Sequence, residues 1–387
     1  MDPGLYCIPV DFKSYSQSGA WGRHTLGFQI ERDTLRFSRS GKGEIRAAIL
    51  GVPHEGGTPN KGCREAPHAV RKILYRLANL ECLRGIIDLG DLKPGKTEAD
   101  IQYALRDLIE TLCEKGIVTL ALGGGQDLSI GISRAFTDDR EFVLTVADAT
   151  VDVKTGREVT GSGNFLSRIM RENPRLFHLQ MMGIQSHLVP PAVLDFLRKQ
   201  TFDYLTLGQL RDDFAAAEPL LRNTSFLSFD LSAVRQSDAR GHFRVTPSGL
   251  DSEEACRIAR YAGLGSKLKV FGLFEANPVL DPGGSTAALA AQMVWYFLEA
   301  LSHRRTEDPG IDKSLFKKIF VEMVDHGEPM VFYHQASTDR WWIEIFSGEE
   351  DRLILPCRET DYLKAVKQEI PEVWWKYARK SERMSKY

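Results

Sequence analysis

Along two thirds of this chain, short apolar runs alternate with longer segments of helical period. The runs are Ala47–Val52, Ile117–Leu122, Phe142–Ala147, Leu176–Ile184, Phe202–Leu207, Ser225–Asp230 and Leu268–Phe274. Several are apolar nearly throughout, which predicts strands covered on both faces. Between them, Ala66–Leu80 carries Val70, Ile73, Leu74 and Leu77 at helical spacing. Asp100–Lys115 carries Ile101, Leu105, Leu108, Ile109 and Leu112. Ser248–Leu264 follows Pro247, with Ile258, Ala259 and Ala262 on one stripe. A last helix runs to about Ser302, with Ser285 or Thr286 as its cap after the turn Asp281-Pro282-Gly283-Gly284. Such alternation predicts an α/β fold: a three-layer α/β/α arrangement around a mostly parallel sheet.

Two of these runs lead straight into carboxylates. Asp148-Ala149-Thr150-Val151-Asp152 follows the run ending at Ala147, and Ser228-Phe229-Asp230-Leu231-Ser232 ends another. Glu275-Ala276-Asn277-Pro278 follows a third. A buried carboxylate is costly unless a cation or hydrogen bonds compensate it. In doubly covered parallel sheets, ligands sit beyond the carboxyl ends of the strands. Asp148, Asp230 and Glu275 are therefore expected on one rim, around one cleft. Asp148-x-x-x-Asp152 also reads as a surface turn, and Glu275 as a helix or loop cap. The turn Gly123-Gly124-Gly125-Gln126-Asp127 has two readings as well, a phosphate cradle or a tight strand-to-helix turn. No Lys and no GxGxxG spacing accompany it.

Composition narrows the function. A hydrophobic share of 43% over 387 residues is ample for a large buried core. The net charge of −2 points to neither nucleic acid nor a membrane surface as partner. Met1 to Tyr15 lacks the apolar core of a secretory signal. The apolar stretch from Thr286 to Leu301 is broken by Gln292 and Glu299 and is too short to span a bilayer. Six scattered cysteines without a CxxC pair read as reduced thiols of a cytoplasmic protein.

Three regions are expected. Residues 1–44 form an irregular polar extension with Ser14, Ser16, Ser18, Ser38 and Ser40, and 45–303 hold the α/β domain. Residues 304–387 form a small appendage: a helix near Ser314–Asp325, strands near Met330–His334 and Trp341–Phe346, and a basic tail. The pairs Trp341-Trp342 and Trp374-Trp375 are expected to be buried against the main domain or a sister subunit rather than to form a ligand platform.

From about Ala47 to Ser302 the motifs resemble the ureohydrolase superfamily of arginase, agmatinase and formimidoylglutamase. Its hallmarks are Gly-Gly-x-His, Asp-Ala-His-x-Asp and Ser-x-Asp-x-Asp, in that order. Here they stand as Gly124-Gly125-Gln126, Asp148-Ala149-Thr150-Val151-Asp152 and Ser228-Phe229-Asp230-Leu231-Ser232. Gly51-Val52-Pro53, the segment Glu65 to Arg71, Ser162-Gly163-Asn164, Pro247-x-Gly249-Leu250, Glu275-x-Asn277-Pro278 and the helix after Thr286 add to the series. The triple glycine is most similar to the formimidoylglutamase branch.

The resemblance implies an arginase-type sheet and hydrolysis of a guanidino or formimidoyl carbon by hydroxide bridging two manganese ions. Six side chains hold that pair in the family. Matched by motif position, Asp148, Asp152 and Asp230 are retained, whereas Gln126 and Thr150 replace histidines and Ser232 replaces an aspartate. One metal position keeps oxygen donors: Gln126, Asp148, Asp152 and Asp230. The other depends on Thr150 and Ser232 and is expected to stay empty. No His follows Asn164, where arginases carry a proton shuttle. Ser162, Asn164 and Glu275 are the matched ligand-contacting positions. The expectation is a protein with no cofactor or a single Mn, Mg or Ca ion and no dimanganese cluster. It would bind a small molecule and assemble as a homo-oligomer by resemblance. Two other expectations stand beside it: a C–N hydrolase with a remodelled mononuclear or metal-free site, and a structural subunit supporting an active paralogue.

Overall fold

A computed structural model describes residues 3–16, 21–31, 44–154, 160–173, 176–324, 328–347 and 351–384. Ser18, Ser38 and Ser40 of the extension lie outside these residues. Nine strands form one sheet: β1 (Cys7–Ile8), β2 (Ala47–Gly51), β3 (Ile86–Leu92), β4 (Val118–Leu122), β5 (Val143–Ala147), β6 (His178–Ile184), β7 (Asp203–Thr206), β8 (Phe226–Asp230) and β9 (Val270–Phe274). Their spatial order is β1-β3-β2-β4-β9-β8-β5-β6-β7. Only the β1–β3 pair is antiparallel among them. The expected parallel sheet is therefore present, and so are its two covering layers. One apolar cluster joins Leu74, Ile258, Ala262, Val294 and Phe297 to one face, and another joins Leu105, Ile109, Leu112, Ile132 and Leu166 to the other.

β3 is absent from the apolar runs of the sequence, and the reason is chemical. Its polar positions, Asp88 and Asp91, serve one buried cation. Arg71, fully buried in the helix Ala66–Leu74, donates to both oxygens of Asp88 at 2.9 Å and also bonds Asp91. The Tyr75 hydroxyl donates to Asp88 Oδ2 at 2.6 Å. Losing one partner of such a buried pair typically costs about 3–5 kcal/mol. The same helix ends at Leu74, short of the expected Leu80, with Tyr75 as its cap residue. At the last helix, Ser285–Ser302, neither Ser285 nor Thr286 is the cap. Asp281 accepts from the backbone N–H groups of Thr286 and Ala287 instead.

A second, antiparallel sheet lies in the C-terminal segment: β10 (Lys317–Val321), β11 (Met330–Gln335), β12 (Arg340–Ser347) and β13 (Asp351–Cys357). β10 replaces the helix expected near Ser314–Asp325. Period two wins there because β10 pairs with β11 over its full length. Two helices follow, Glu359–Val366 and Glu372–Met384. Val143 and Phe177 share an apolar cluster with Phe332, Trp341, Ile343 and Tyr377. Val143 opens β5 and Phe177 precedes β6, so this sheet docks at the amino ends of the parallel strands. Trp341 and Trp342 are buried, and Arg222 stacks on Trp342 at 4.3 Å. Trp375, in contrast, is 47% exposed. Among the described residues, no helix is long and apolar enough to cross a membrane.

Candidate functional site

Four neighbouring parallel strands, β4, β9, β8 and β5, each deliver one polar residue at their carboxyl ends. After β4, Gly123 and Gly124 adopt positive φ angles of 90° and 74°. A Cβ on Gly124 would stand 2.4 Å from Leu128 Cδ1 and 2.5 Å from the His54 carbonyl oxygen. The glycine run is thus a tight turn pressed against the protein, and it sets Gln126 in place at full burial. β9 leads into Glu275, β8 ends in Asp230, and Asp148 follows β5. All three carboxylates lie on one rim, as expected.

Glu275 is the most constrained of them. Its φ of 65° is left-handed, a conformation that costs a non-glycine residue about 1 kcal/mol or more. Hydrogen bonds hold it there. Oε1 accepts from the Gln126 backbone N–H at 2.9 Å, and Oε2 accepts from Thr58 Oγ1 and Asn60 Nδ2, each at 3.0 Å. Burial raises its carboxyl above the usual range against these bonds. Asp127, one residue from Gln126, is pushed up to about 7 by burial and then by the charge of Glu275.

The remaining carboxylates are served by protein donors too. Amide oxygen and nitrogen are told apart by their partners. With its nitrogen toward the carboxylates, the Gln126 side chain donates to Asp148 Oδ2 at 3.2 Å and Asp230 Oδ2 at 3.3 Å. Its oxygen then accepts from Ser228 Oγ at 3.2 Å. Thr150 Oγ1 lies 3.3 Å from Asp148 Oδ1 and 3.3 Å from Asp152 Oδ1. The Thr150 N–H donates to Asp148 Oδ1 at 2.9 Å, and the Ser232 N–H donates to Asp230 Oδ1 at 2.6 Å. Burial, then the charges of Asp152 and Asp230, push the Asp148 carboxyl well above its ordinary range. Burial, then Glu275, does the same to Asp230. Asp152 is raised less, by burial, with Arg244 opposing. Among the described residues, no three His, Cys, Asp or Glu side chains are arranged to hold a metal ion.

Ser162 and Asn164 sit beside this cleft, on the turn that packs against Gln126–Leu128. The Ser162 N–H donates to the Gly57 carbonyl at 2.8 Å, and Asn164 Oδ1 accepts from Gly161 N–H at 2.8 Å. Gly57 abuts Asp127: a Cβ there would meet Asp127 Oδ2 at 2.3 Å.

The comparisons with known proteins agree with this geometry. The model of the arginase family matches residues 45–299. The chain belongs to the arginase family. Within it, the chain resembles formimidoylglutamases. It is 26% identical to formimidoylglutamase of Geobacillus kaustophilus over 289 residues, covering 69% of this chain and 86% of the relative. Among solved structures, Trypanosoma cruzi formiminoglutamase with Mn²⁺ superposes with a TM-score of 0.65 at 21% identity, covering 73% of this chain and 99% of that one. The formimidoylglutamase of Bacillus subtilis gives 0.64 at 18%, covering 75% and 96%.

This arginase-family chain also brings into the cleft a residue that the sequence did not single out. His242, on the irregular segment after β8, is 4% exposed. Its Nδ1 accepts from the Arg244 backbone N–H at 2.8 Å, and its Nε2 lies 3.7 Å from Asp230 Oδ1. Burial pushes the imidazole down to about 4, so it is neutral near pH 7. Arg244 stands at the mouth of the cleft, its Nη2 3.9 Å from where a Gly163 Cβ would be. His242 follows Asp230 by twelve positions on a segment without periodicity. Only a conspicuous Gly-His-Phe within a polar loop could have flagged it.

Proposed function

We propose that the chain is a non-hydrolysing member of the arginase family whose cleft holds a small molecule without a manganese pair. The observation that carries this reading is that backbone N–H groups of Thr150 and Ser232 already bond Asp148 and Asp230, and that among the described residues no three His, Cys, Asp or Glu side chains are arranged to hold an ion. Metal ligands must offer lone pairs to the ion. Here Thr150 Oγ1 lies within hydrogen-bond reach of two carboxylates, and Gln126 adds an N–H donor to Asp148 and Asp230 when its amide nitrogen faces them. Ser232 has a hydroxyl where the matched family position has a carboxylate. The residues present do not fit a binuclear site. The site left to a single ion, Gln126 with Asp148, Asp152 and Asp230, offers hard oxygen atoms only with the amide oxygen toward the carboxylates, the orientation that forgoes both amide–carboxylate bonds.

The energetic logic favours self-satisfaction. Buried like charges repel, and each protein donor lowers the cost of holding them together. A dication pair would supply the same compensation and also make hydroxide available near neutral pH. With donors in their place, the compensation survives without the nucleophile. A second reading, C–N bond hydrolysis without that pair, has His242 in its favour as a buried imidazole facing Asp230.

Hydrolysis assays on full-length protein with N-formimidoyl-L-glutamate, agmatine and arginine, each with and without added Mn²⁺, separate the readings. The proposal expects no turnover above background in any arm. Manganese-dependent release of formamide or urea contradicts it, and metal-independent turnover favours the second reading.

A further inference from the structure

The hydrogen-bonding groups of the cleft differ in what they still lack. Glu275 accepts on both carboxylate oxygens, and Asp148 and Asp230 accept on Oδ1 from backbone N–H groups and on Oδ2 from Gln126 when its nitrogen faces them. His242 is the opposite case. Its Nδ1 accepts a backbone N–H, so the neutral ring carries its proton on Nε2. That N–H has no hydrogen-bond partner among the described residues. The carboxylate oxygen facing it, Asp230 Oδ1, is 3.7 Å away and already takes the Ser232 N–H. A separation of 3.7 Å is beyond a hydrogen bond.

The ring is also held in position. The Gly241 N–H donates to Thr286 Oγ1 at 2.7 Å, and the Gly241 carbonyl accepts from Asn277 N–H at 2.7 Å. Both anchors belong to the segment and helix that follow β9. A buried N–H without an acceptor is costly, so a fixed one at a strand-end cleft points to an absent acceptor. Nε2 cannot serve a metal in this tautomer, because its lone pair is on Nδ1 and engaged by Arg244 N–H. Asp152 and Ser232, each 9% exposed, and the part-exposed Thr150 mark the solvent side of the cleft.

We propose that His242 Nε2–H is the ligand-orienting donor of the cleft, and that the ligand presents a primary carboxamide or ureido group. Its carbonyl oxygen accepts from His242, and its NH₂ donates to the carboxylates of Asp230 and Asp152. An amidinium group of the same shape has N–H on every nitrogen and offers His242 no acceptor. The inference rests on the reading above of a cleft without a manganese pair and names the chemistry of its ligand.

Acetamide and acetamidinium are near-isosteric probes that differ at this one atom and in charge, so each is compared with itself across variants of His242. Full-length protein with ¹⁵N-labelled histidine rings is assayed for metal content and then titrated with each probe at pH 7. The Nε2–H signal of His242 is followed. Acetamide is expected to shift that signal as the hydrogen bond forms, and its affinity, unlike that of the cationic acetamidinium, is expected to depend on His242. His242→Phe should weaken acetamide by about tenfold, while His242→Gln, which keeps a donor, should stay within about threefold. Thermal unfolding of each variant confirms that it is folded. An acetamide affinity indifferent to His242→Phe, an acetamidinium affinity that falls as much as that of acetamide in this variant, or no response of His242 to acetamide overturns the proposal. Near two manganese per chain in the starting sample overturns the reading of a cleft without a manganese pair instead.

Discussion

At the scale of single residues, Asp148 is the most informative position. It is 1% exposed, and burial with two neighbouring carboxylates raises its carboxyl pKa. A folded pKa above the unfolded value means that proton uptake stabilises the fold. That contribution is complete below the unfolded value near about 3.9 and is lost as pH rises through the folded value. A neutral side chain of the same shape removes the penalty at neutral pH. Asp148→Asn is therefore expected to unfold within about 2 °C of wild type or above it at pH 7, with or without chelator, in a thermal scan. A clear loss of stability that chelator abolishes would mean that an ion holds Asp148 in wild type. Glu275 carries the opposite lesson. The sequence marked it as a ligand-contacting position or a cap, and three protein donors hold its carboxylate between the β4 turn and the Thr58–Asn60 loop.

At the scale of elements, the sheet was legible wherever strands were apolar on both faces. β2, β4, β5, β6, β8 and β9 all fall within predicted runs. β3 hid behind Asp88 and Asp91, whose burial depends on Arg71, a partner distant in sequence and invisible to periodicity. β10 hid because its exposed Lys317, Lys318 and Phe320 belong to an edge strand with one neighbour. The strand-end carboxylates were readable because each follows an apolar run directly. His242 was not, since a loop residue is positioned by tertiary bonds to Thr286 and Asn277 segments. The final helix, Glu372–Met384, supplies a pH prediction. Its Lys376 pairs with Asp203 at 2.5 Å, Asp203 pairs with His178 Nε2 at 2.8 Å, and Lys380 meets His178 Nδ1. Burial, then Lys380, pushes His178 down to about 4. Its unfolded value is near about 6.5, so the folded chain holds a neutral ring that the unfolded chain protonates first. The contribution is complete above about 6.5 and is lost as pH falls through about 4, on the order of 3 kcal/mol in total. Denaturant midpoints measured from pH 7.5 to 4.5 should fall more steeply in wild type than in His178→Gln. Equal slopes would remove His178 from the account.

At the scale of the whole molecule, the two ends of the parallel strands do different work. Their carboxyl ends carry the cleft, and their amino ends receive the second sheet through Val143 and Phe177. The five residues of β5 separate Val143 from Asp148 by roughly 17 Å at the rise of an extended strand. The C-terminal sheet and helices thus pack away from the cleft. The family fold has been kept, and in the proposed reading the cleft's cation positions are met by Gln126, Thr150 and backbone N–H groups. Manganese stoichiometry tests this central claim most directly. Full-length protein is incubated with excess MnCl₂, desalted and submitted to elemental analysis. The account predicts at most one manganese per chain, and a value near two would contradict it.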